Sequence, residues 1–394
     1  MRVLFTCVIG YGHFNPMVPL ARAFEAAAHE VAFATDPGFS PSVAGAGFRV
    51  FPAGLDHREA LSRFVATVPD WGQIPGADRP LYQQPGMFAR VRVPPMLTDL
   101  DPIIREWRPD LIVHESVEMA GAIAAEGAGI AHVEHSFGLL RPFELRSRAT
   151  AALAPISEAR GVRNPGVGGI GGELYLDICP PGFQHAEISD VPNVAPLRPM
   201  EIVAEPDPAF AAWIAKTPAR PTVYVTLGTM FNNADVFRTI LGDLIREPLN
   251  VIVTVGKDGD PALLGPLPDN VYVERFIPQA QVLARSDLLV SHAGSGAVLG
   301  ALNAALPILA IPQGADQFMN AERIVGTGLG LRLLPDEVMP RAVRDRAREL
   351  LDDERFASVA HSLRQEIDGM PGPATVVETL EAFVKGRPAV RRVR

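Results

Sequence analysis

Short apolar runs recur along this chain, each followed by a polar or glycine-bearing turn and then by apolar positions three and four residues apart. In the first half the runs at 2–9, 31–34, 49–52, 111–114 and 131–134 read as buried strands, because they are short, β-branched and bounded by turn residues. Between them the spacing shifts to the helical period. The stretch 18–28 is one such helix, with Asn15 as its N-cap and Pro16 at the first helical position, where a missing N–H costs little. A second series at 222–227, 251–255, 271–274, 288–291, 308–311 and 331–334 repeats the arrangement, and the charged tail from Arg341 holds two or three more helices. Strands alternating with helices predict an α/β chain of two doubly wound, Rossmann-like parallel sheets.

The pattern breaks in two places. From 56 to 95 it dissolves into Pro, Gly and scattered aromatics, which predicts either a binding loop region or a surface insertion. Proline is dense from 192 to 221, in VPNVAPLRP and EPDPAF, and such stretches stiffen interdomain connections. At 394 residues the chain exceeds what one ordinary core serves. The expected division is a first domain over 1–200, a linker over 201–221, a second domain over 222–375 and a terminal helix over 376–394.

Composition narrows the function classes. A net charge of −9 argues against a broad nucleic-acid footprint, which needs clustered Lys and Arg. No apolar run reaches the length of a membrane span. The run at 2–9 is a strand entering a glycine turn, not a signal peptide. Cys7 lies within that strand and Cys179 is the only other cysteine, so a structural disulfide is not expected and a cytoplasmic setting fits. No His, Cys or carboxylate cluster has the spacing of a tight metal site.

One motif is a decoy. GVGGIG at 166–171 matches the dinucleotide fingerprint in letters, but a strand must precede it and a helix must follow. Here RGVRNP precedes and the strand-like ELYLDI follows, so the segment reads as a flexible loop.

A more specific constellation runs from Phe276 to Asn320: FIPQAQVL, SHAGSGAVLGAL and IPQGADQFMNA. His292 follows an apolar strand, and Gly294, Ser295 and Gly296 open a helix whose free amides suit an anion. The first strand of the same half ends at Gly228 and Thr229, and strands one and four of a doubly wound sheet flank the switch point. Thr229 and His292 are therefore expected to face one crevice. In the first half, GYGHFNP carries His13 from a strand into a helix, and Glu115 follows the fourth strand, so the same geometry brings those two together. A neutral imidazole there can accept a hydroxyl proton.

This spacing resembles the donor-binding signature of family 1 glycosyltransferases, in particular those that decorate bacterial natural products, calicheamicin and macrolide enzymes among them. The resemblance implies the GT-B fold, two Rossmann-like domains facing each other across a cleft, with the last helix returning to the first domain. It implies that His292 binds the diphosphate of a nucleotide sugar, helped by Ser295 and Gly296. Phe276 would stand where the family stacks a Trp on the base, Ile277 would bond the base edge, Gln279 the ribose, and Asp316 and Gln317 the sugar hydroxyls. His13 would be the catalytic base in a GHxxP-like turn, oriented by Glu115 where the family commonly has Asp. The reaction would be an inverting, metal-independent hexosyl transfer by a single displacement, with the nucleotide sugar as co-substrate and no separate cofactor.

Two departures stand out. Ala297 replaces a Ser or Thr that often bonds the phosphate, and Gly300 replaces a Glu that often binds the ribose hydroxyls. Without that Glu a 2′-deoxyribose loses less relative to ribose, which favours a dTDP-sugar over a UDP-sugar. The acceptor is expected to be a bulky, partly apolar small molecule, met by Phe14, Trp71, Met87, Phe88, His135 and Phe137, with His135 as a reserve base. A homodimer is possible and the sequence does not decide it. A nucleotide-sugar epimerase or hydrolase on the same fold, and a non-catalytic homologue that binds a nucleotide sugar or a partner protein, remain as alternatives.

Overall fold

Two parallel sheets organise the chain in the computed structural model, which describes residues 1–171, 174–202, 205–228, 234–257 and 259–386. The first sheet contains β1 (Arg2–Thr6), β2 (Glu30–Thr35), β3 (Arg49–Pro52), β4 (Leu111–Glu115), β5 (Ala131–His135), β6 (Leu174–Asp177) and β7 (Val194–Pro196), in the order β3-β2-β1-β4-β5-β6-β7. The second contains β8 (Thr222–Thr226), β9 (Asn250–Thr254), β10 (Val271–Glu274), β11 (Leu288–Ser291), β12 (Ile308–Ala310) and β13 (Gly330–Arg332), in the order β10-β9-β8-β11-β12-β13. Helices on both faces bury the central strands, which is why Val3, Leu4 and Phe5 are all inaccessible. Strand order reverses between β1 and β4 and again between β8 and β11, so the loops leaving those four strands flank a crevice in each sheet.

One compact unit comprises Met1–Cys179, Gln184–Arg198 and the described residues from Met370 onward. The other comprises Pro180–Phe183 and Pro199–Gly369. The terminal helix Pro373–Gly386 packs on the helix Val18–Ala26 within the first unit, and Glu381 Oε1 lies 2.8 Å from His29 Nε2.

Several expected boundaries change. The first strand ends at Thr6 rather than residue 9: Cys7 N–H makes one more bond to Ala34 O, and Gly10, at φ 123°, turns the chain into a helix. That short helix, Tyr11–Phe14, has Gly10 as its N-cap and Asn15 as its C-cap, and the N-cap of Val18–Ala26 is Met17 rather than the expected Asn15. Asn15 has helical angles and opens a 3₁₀ turn, Asn15–Met17, before Val18–Ala26, because Pro16 has no N–H for an α-helical bond. The stretch 56–95 is largely helical, not loop. Asp56 caps His57–Val65, Gln84–Arg92 is a π-helix, and Val93–Trp107 follows directly. Its prolines sit near helix starts, where they are tolerated, and this hid the helices from a reading based on breakers. The Pro-rich stretch holds β7 and the helix Pro208–Ile214, whose Phe210 and Trp213 rings pack on Tyr272. The GVGGIG loop is fastened rather than flexible: the Gly168 and Gly169 amides donate to the buried Glu134 carboxylate.

Candidate active site

His13 sits in the first turn beyond β1 and Glu115 ends β4, so the reversal of strand order brings them together. His13 Nδ1 lies 3.3 Å from Glu115 Oε1, with the imidazole a quarter exposed and the carboxylate fully enclosed. The angle is not that of a hydrogen bond, which leaves Nδ1 and Glu115 Oε2 unpartnered; catalytic pairs of this kind often tighten only with substrate. Glu115 is held from the other side, because Oε1 accepts Val117 N–H at 3.0 Å. The Phe137 ring leans on His13, centroids 4.9 Å apart.

A second buried carboxylate, Glu118, escaped the sequence reading. It accepts the Thr6 hydroxyl, Ala120 N–H at 2.9 Å and Gly121 N–H at 3.0 Å, capping the helix Ala120–Ala128. Burial, with Glu115 nearby, pushes it up to about 7. The signal was present: a Glu three residues past a strand-end Glu, just before an Ala-rich helix.

The residues expected at an acceptor pocket have different surroundings. Phe14 is core, enclosed by Phe33, Phe39 and Phe48. Met87 is buried, and Trp71 packs edge-on against Phe64. Phe88 borders a cavity of about 20 Å³, shared with Cys7, Asp36, Arg92 and Glu118, that has room for about one water. There Arg92 reaches Asp36 at 3.5 Å and His57 at 3.1 Å.

His135 pairs in register with Glu115 but is fully enclosed, its Nδ1 bonded to Ser136 O at 2.6 Å. That enclosure leaves His13 as the accessible imidazole of the two. Burial holds His135 down at about 4. Below its ordinary value of 6.5 the unfolded chain takes up a proton that the folded chain refuses until about pH 4. Stability is therefore lost as pH falls through that window. His135→Gln should flatten the urea-stability curve between pH 7 and 4 by up to about 3 kcal/mol relative to wild type. Parallel curves for the two proteins would refute this.

In the second unit, β11 delivers His292 to the crevice and β8 delivers Gly228. The imidazole fills a slot between two glycines: a Cβ on Gly228 would lie 2.7 Å from His292 Nε2, and one on Gly294 2.5 Å from it. Burial pushes His292 down to about 4 although Asp316 pulls the other way, so the ring is neutral at pH 7. Its Nδ1 is buried without a partner. Thr229 lies outside the described residues.

Gly294 caps the helix Ser295–Asn303, and Val298 N–H closes back on Gly294 O at 3.0 Å. The amides of Ser295, Gly296 and Ala297 precede that bond and have no acceptor within the helix. Ser295 Oγ donates to Asp316 Oδ2 at 2.6 Å. Asn320, also missed from sequence, ties the site together by donating to Ala293 O at 2.8 Å and Asp316 Oδ2 at 2.9 Å. Ala293 and Ala315, next to His292 and Asp316, both have left-handed backbones, at φ 62° and 53°. Such strain concentrates at functional turns.

Gln317 is buried, and its oxygen accepts the Gln313 and Gly314 amides, so only its amino end can reach outward. Phe276 is 55% exposed, with Lys257 Nζ 5.1 Å from its centroid, while Ile277 is buried. An exposed ring of this size has a free face on which a flat ligand could stack. Gln279 begins the helix Gln279–Leu283 and bonds Gly296 O at 3.2 Å. Among the described residues no group of three or more His, Cys, Asp or Glu could hold a metal ion, and no helix is long and apolar enough to cross a membrane. Cys7 and Cys179 are both buried, and neither forms a disulfide.

The fold is that of a GT-B glycosyltransferase. Within that class the chain belongs to the family described as erythromycin biosynthesis protein CIII-like, whose N-terminal domain matches residues 22–228 and whose C-terminal domain matches 238–383. It is 34% identical to the L-demethylnoviosyl transferase of Streptomyces niveus, covering 97% of this chain and 98% of that protein. It is 31% identical to the aklavinone 7-beta-L-rhodosaminyltransferase of Streptomyces galilaeus, covering 97% and 95%. The solved spinosyn rhamnosyltransferase SpnG, complexed with thymidine diphosphate, is 27% identical with a TM-score of 0.81, covering 97% of this chain and 100% of that one. The chain is thus a natural-product glycosyltransferase that moves a sugar from a nucleotide-sugar donor to a secondary metabolite.

Proposed function

We propose that this enzyme transfers a sugar from a dTDP-sugar to a hydroxyl of a bulky, partly apolar small molecule, with inversion at the anomeric carbon and with no metal or separate cofactor. The observation that carries the chemistry is the 3.3 Å approach of the accessible His13 imidazole to the enclosed Glu115 carboxylate. His13 takes the proton of the acceptor hydroxyl as its oxygen attacks the anomeric carbon, and Glu115 stabilises the imidazolium that forms. The bond to the diphosphate breaks in the same step. Charge gathering on the leaving diphosphate meets the free amides of Ser295, Gly296 and Ala297 and the Nε2 edge of His292. A single displacement reverses the anomeric centre. Asp316, held by Ser295 and Asn320, has one carboxylate oxygen left for a sugar hydroxyl.

The nucleotide preference rests on Gly300, where no side chain reads the ribose 2′-hydroxyl from the helix. SpnG, complexed with thymidine diphosphate, supports the same choice. Titration calorimetry should show thymidine diphosphate binding at least as tightly as UDP. A clear preference for UDP would reverse the assignment.

A further inference from the structure

The segment that follows the first unit brings a carboxylate to the nucleotide pocket at the position where the helix lacks one. Gly300 lies one turn beyond Gly296 on the helix Ser295–Asn303, along the face covered by Gln279, whose Nε2 bonds Gly296 O at 3.2 Å. A Cβ built on Gly300 would sit 2.3 Å from Gln279 Nε2, 2.8 Å from Leu283 Cδ1 and 2.9 Å from Glu201 Oε1. Any side chain there would displace the amide and the carboxyl that converge over it. Glycine at 300 is therefore what admits Glu201.

Glu201 is partly buried, and among the described residues none donates a hydrogen bond to its carboxyl. Burial pushes its carboxyl up to about 7, and no described donor or cation opposes that shift. A carboxyl partly withdrawn from water gains from a bound donor. Along the helix, the free amides at Ser295 to Ala297 suit the diphosphate, and Gln279 follows Phe276, the platform for the base, by one short turn. The pentose of the nucleotide spans the interval between base and diphosphate, and in thymidine diphosphate its one free hydroxyl is the 3′.

Building on the donor reading above, we propose that Glu201 accepts a hydrogen bond from the 3′-hydroxyl of the donor's pentose, beside Gln279, so that a carboxylate from the interdomain segment reads the sugar of the nucleotide. Glu201 is thereby a specificity-determining residue that the helix signature does not contain.

The test is calorimetric titration of thymidine diphosphate and of its 3′-deoxy counterpart into wild type, Glu201→Ala and Glu201→Gln. Wild type should prefer thymidine diphosphate by about tenfold or more. Glu201→Ala should bind both ligands equally, near the wild-type affinity for the 3′-deoxy compound, with its melting temperature unchanged or raised. Glu201→Gln, which keeps the volume and one acceptor, should show an intermediate preference. Equal weakening of both ligands in Glu201→Ala, or an unchanged preference in either variant, overturns the proposal and leaves the donor site standing. Failure of wild type to bind thymidine diphosphate overturns the donor reading itself, and this inference with it.

Discussion

His13→Ala lowers turnover with an alcohol acceptor by about 10²–10⁴-fold, the usual contribution of a positioned general base. Nucleoside diphosphate affinity should hardly change, because the groups assigned to the donor all belong to the second unit. His13 sits in a helical turn opened by Gly10, a quarter exposed, with Glu115 at 3.3 Å behind it. Glu115→Gln keeps the shape and the Val117 amide contact but removes the charge that favours the imidazolium. Its loss should be smaller than that of His13→Ala. A thiol acceptor is the internal control: it ionises far more readily than an alcohol and should depend much less on His13. Near-normal turnover of His13→Ala with an alcohol would place the base elsewhere. His135 would then have to be reached through its enclosure.

The parallel architecture was legible because buried strands write themselves as short apolar runs. Both switch points followed from strand order alone, and with them the pairing of His13 with Glu115. What stayed hidden has physical reasons. The helices between 56 and 107 carry prolines, most of them near helix starts but Pro102 inside Val93–Trp107, and one segment winds as a π-helix with no pattern of its own. β7 lies in a proline-rich run, where its three residues carry too little signal. Phe14 is expected at the acceptor pocket from its position beside His13, whereas three aromatic neighbours hold it in the core. Asn320 and Glu201 act through contacts made over long sequence separations: Asn320 bonds Ala293, and Glu201 converges with Gln279 on Gly300. No local spacing announces such contacts, and only the folded chain shows why Gly300 has to be glycine.

His292→Ala should weaken thymidine diphosphate binding by about 10–150-fold, the equivalent of one hydrogen bond to a charged acceptor, roughly 1.5–3 kcal/mol. The ring is neutral at pH 7, because burial holds it at about 4. Its contact with the diphosphate is therefore a neutral N–H donating to an anion, not a preformed ion pair. The fold should survive the change, because the ring's slot is walled by Gly228 and Gly294 rather than by interlocking side chains. His292→Gln, which retains an N–H donor, should recover part of the affinity if its amide reaches the same oxygen. A diphosphate beside the ring favours the imidazolium, so binding raises the His292 pKa from its low value and takes up proton. By linkage, the wild-type advantage over His292→Ala should widen as pH falls from 8 towards 5. Undiminished affinity of His292→Ala for thymidine diphosphate at pH 7, with the variant shown to be folded, would remove His292 from the diphosphate and leave the helix amides to hold it alone.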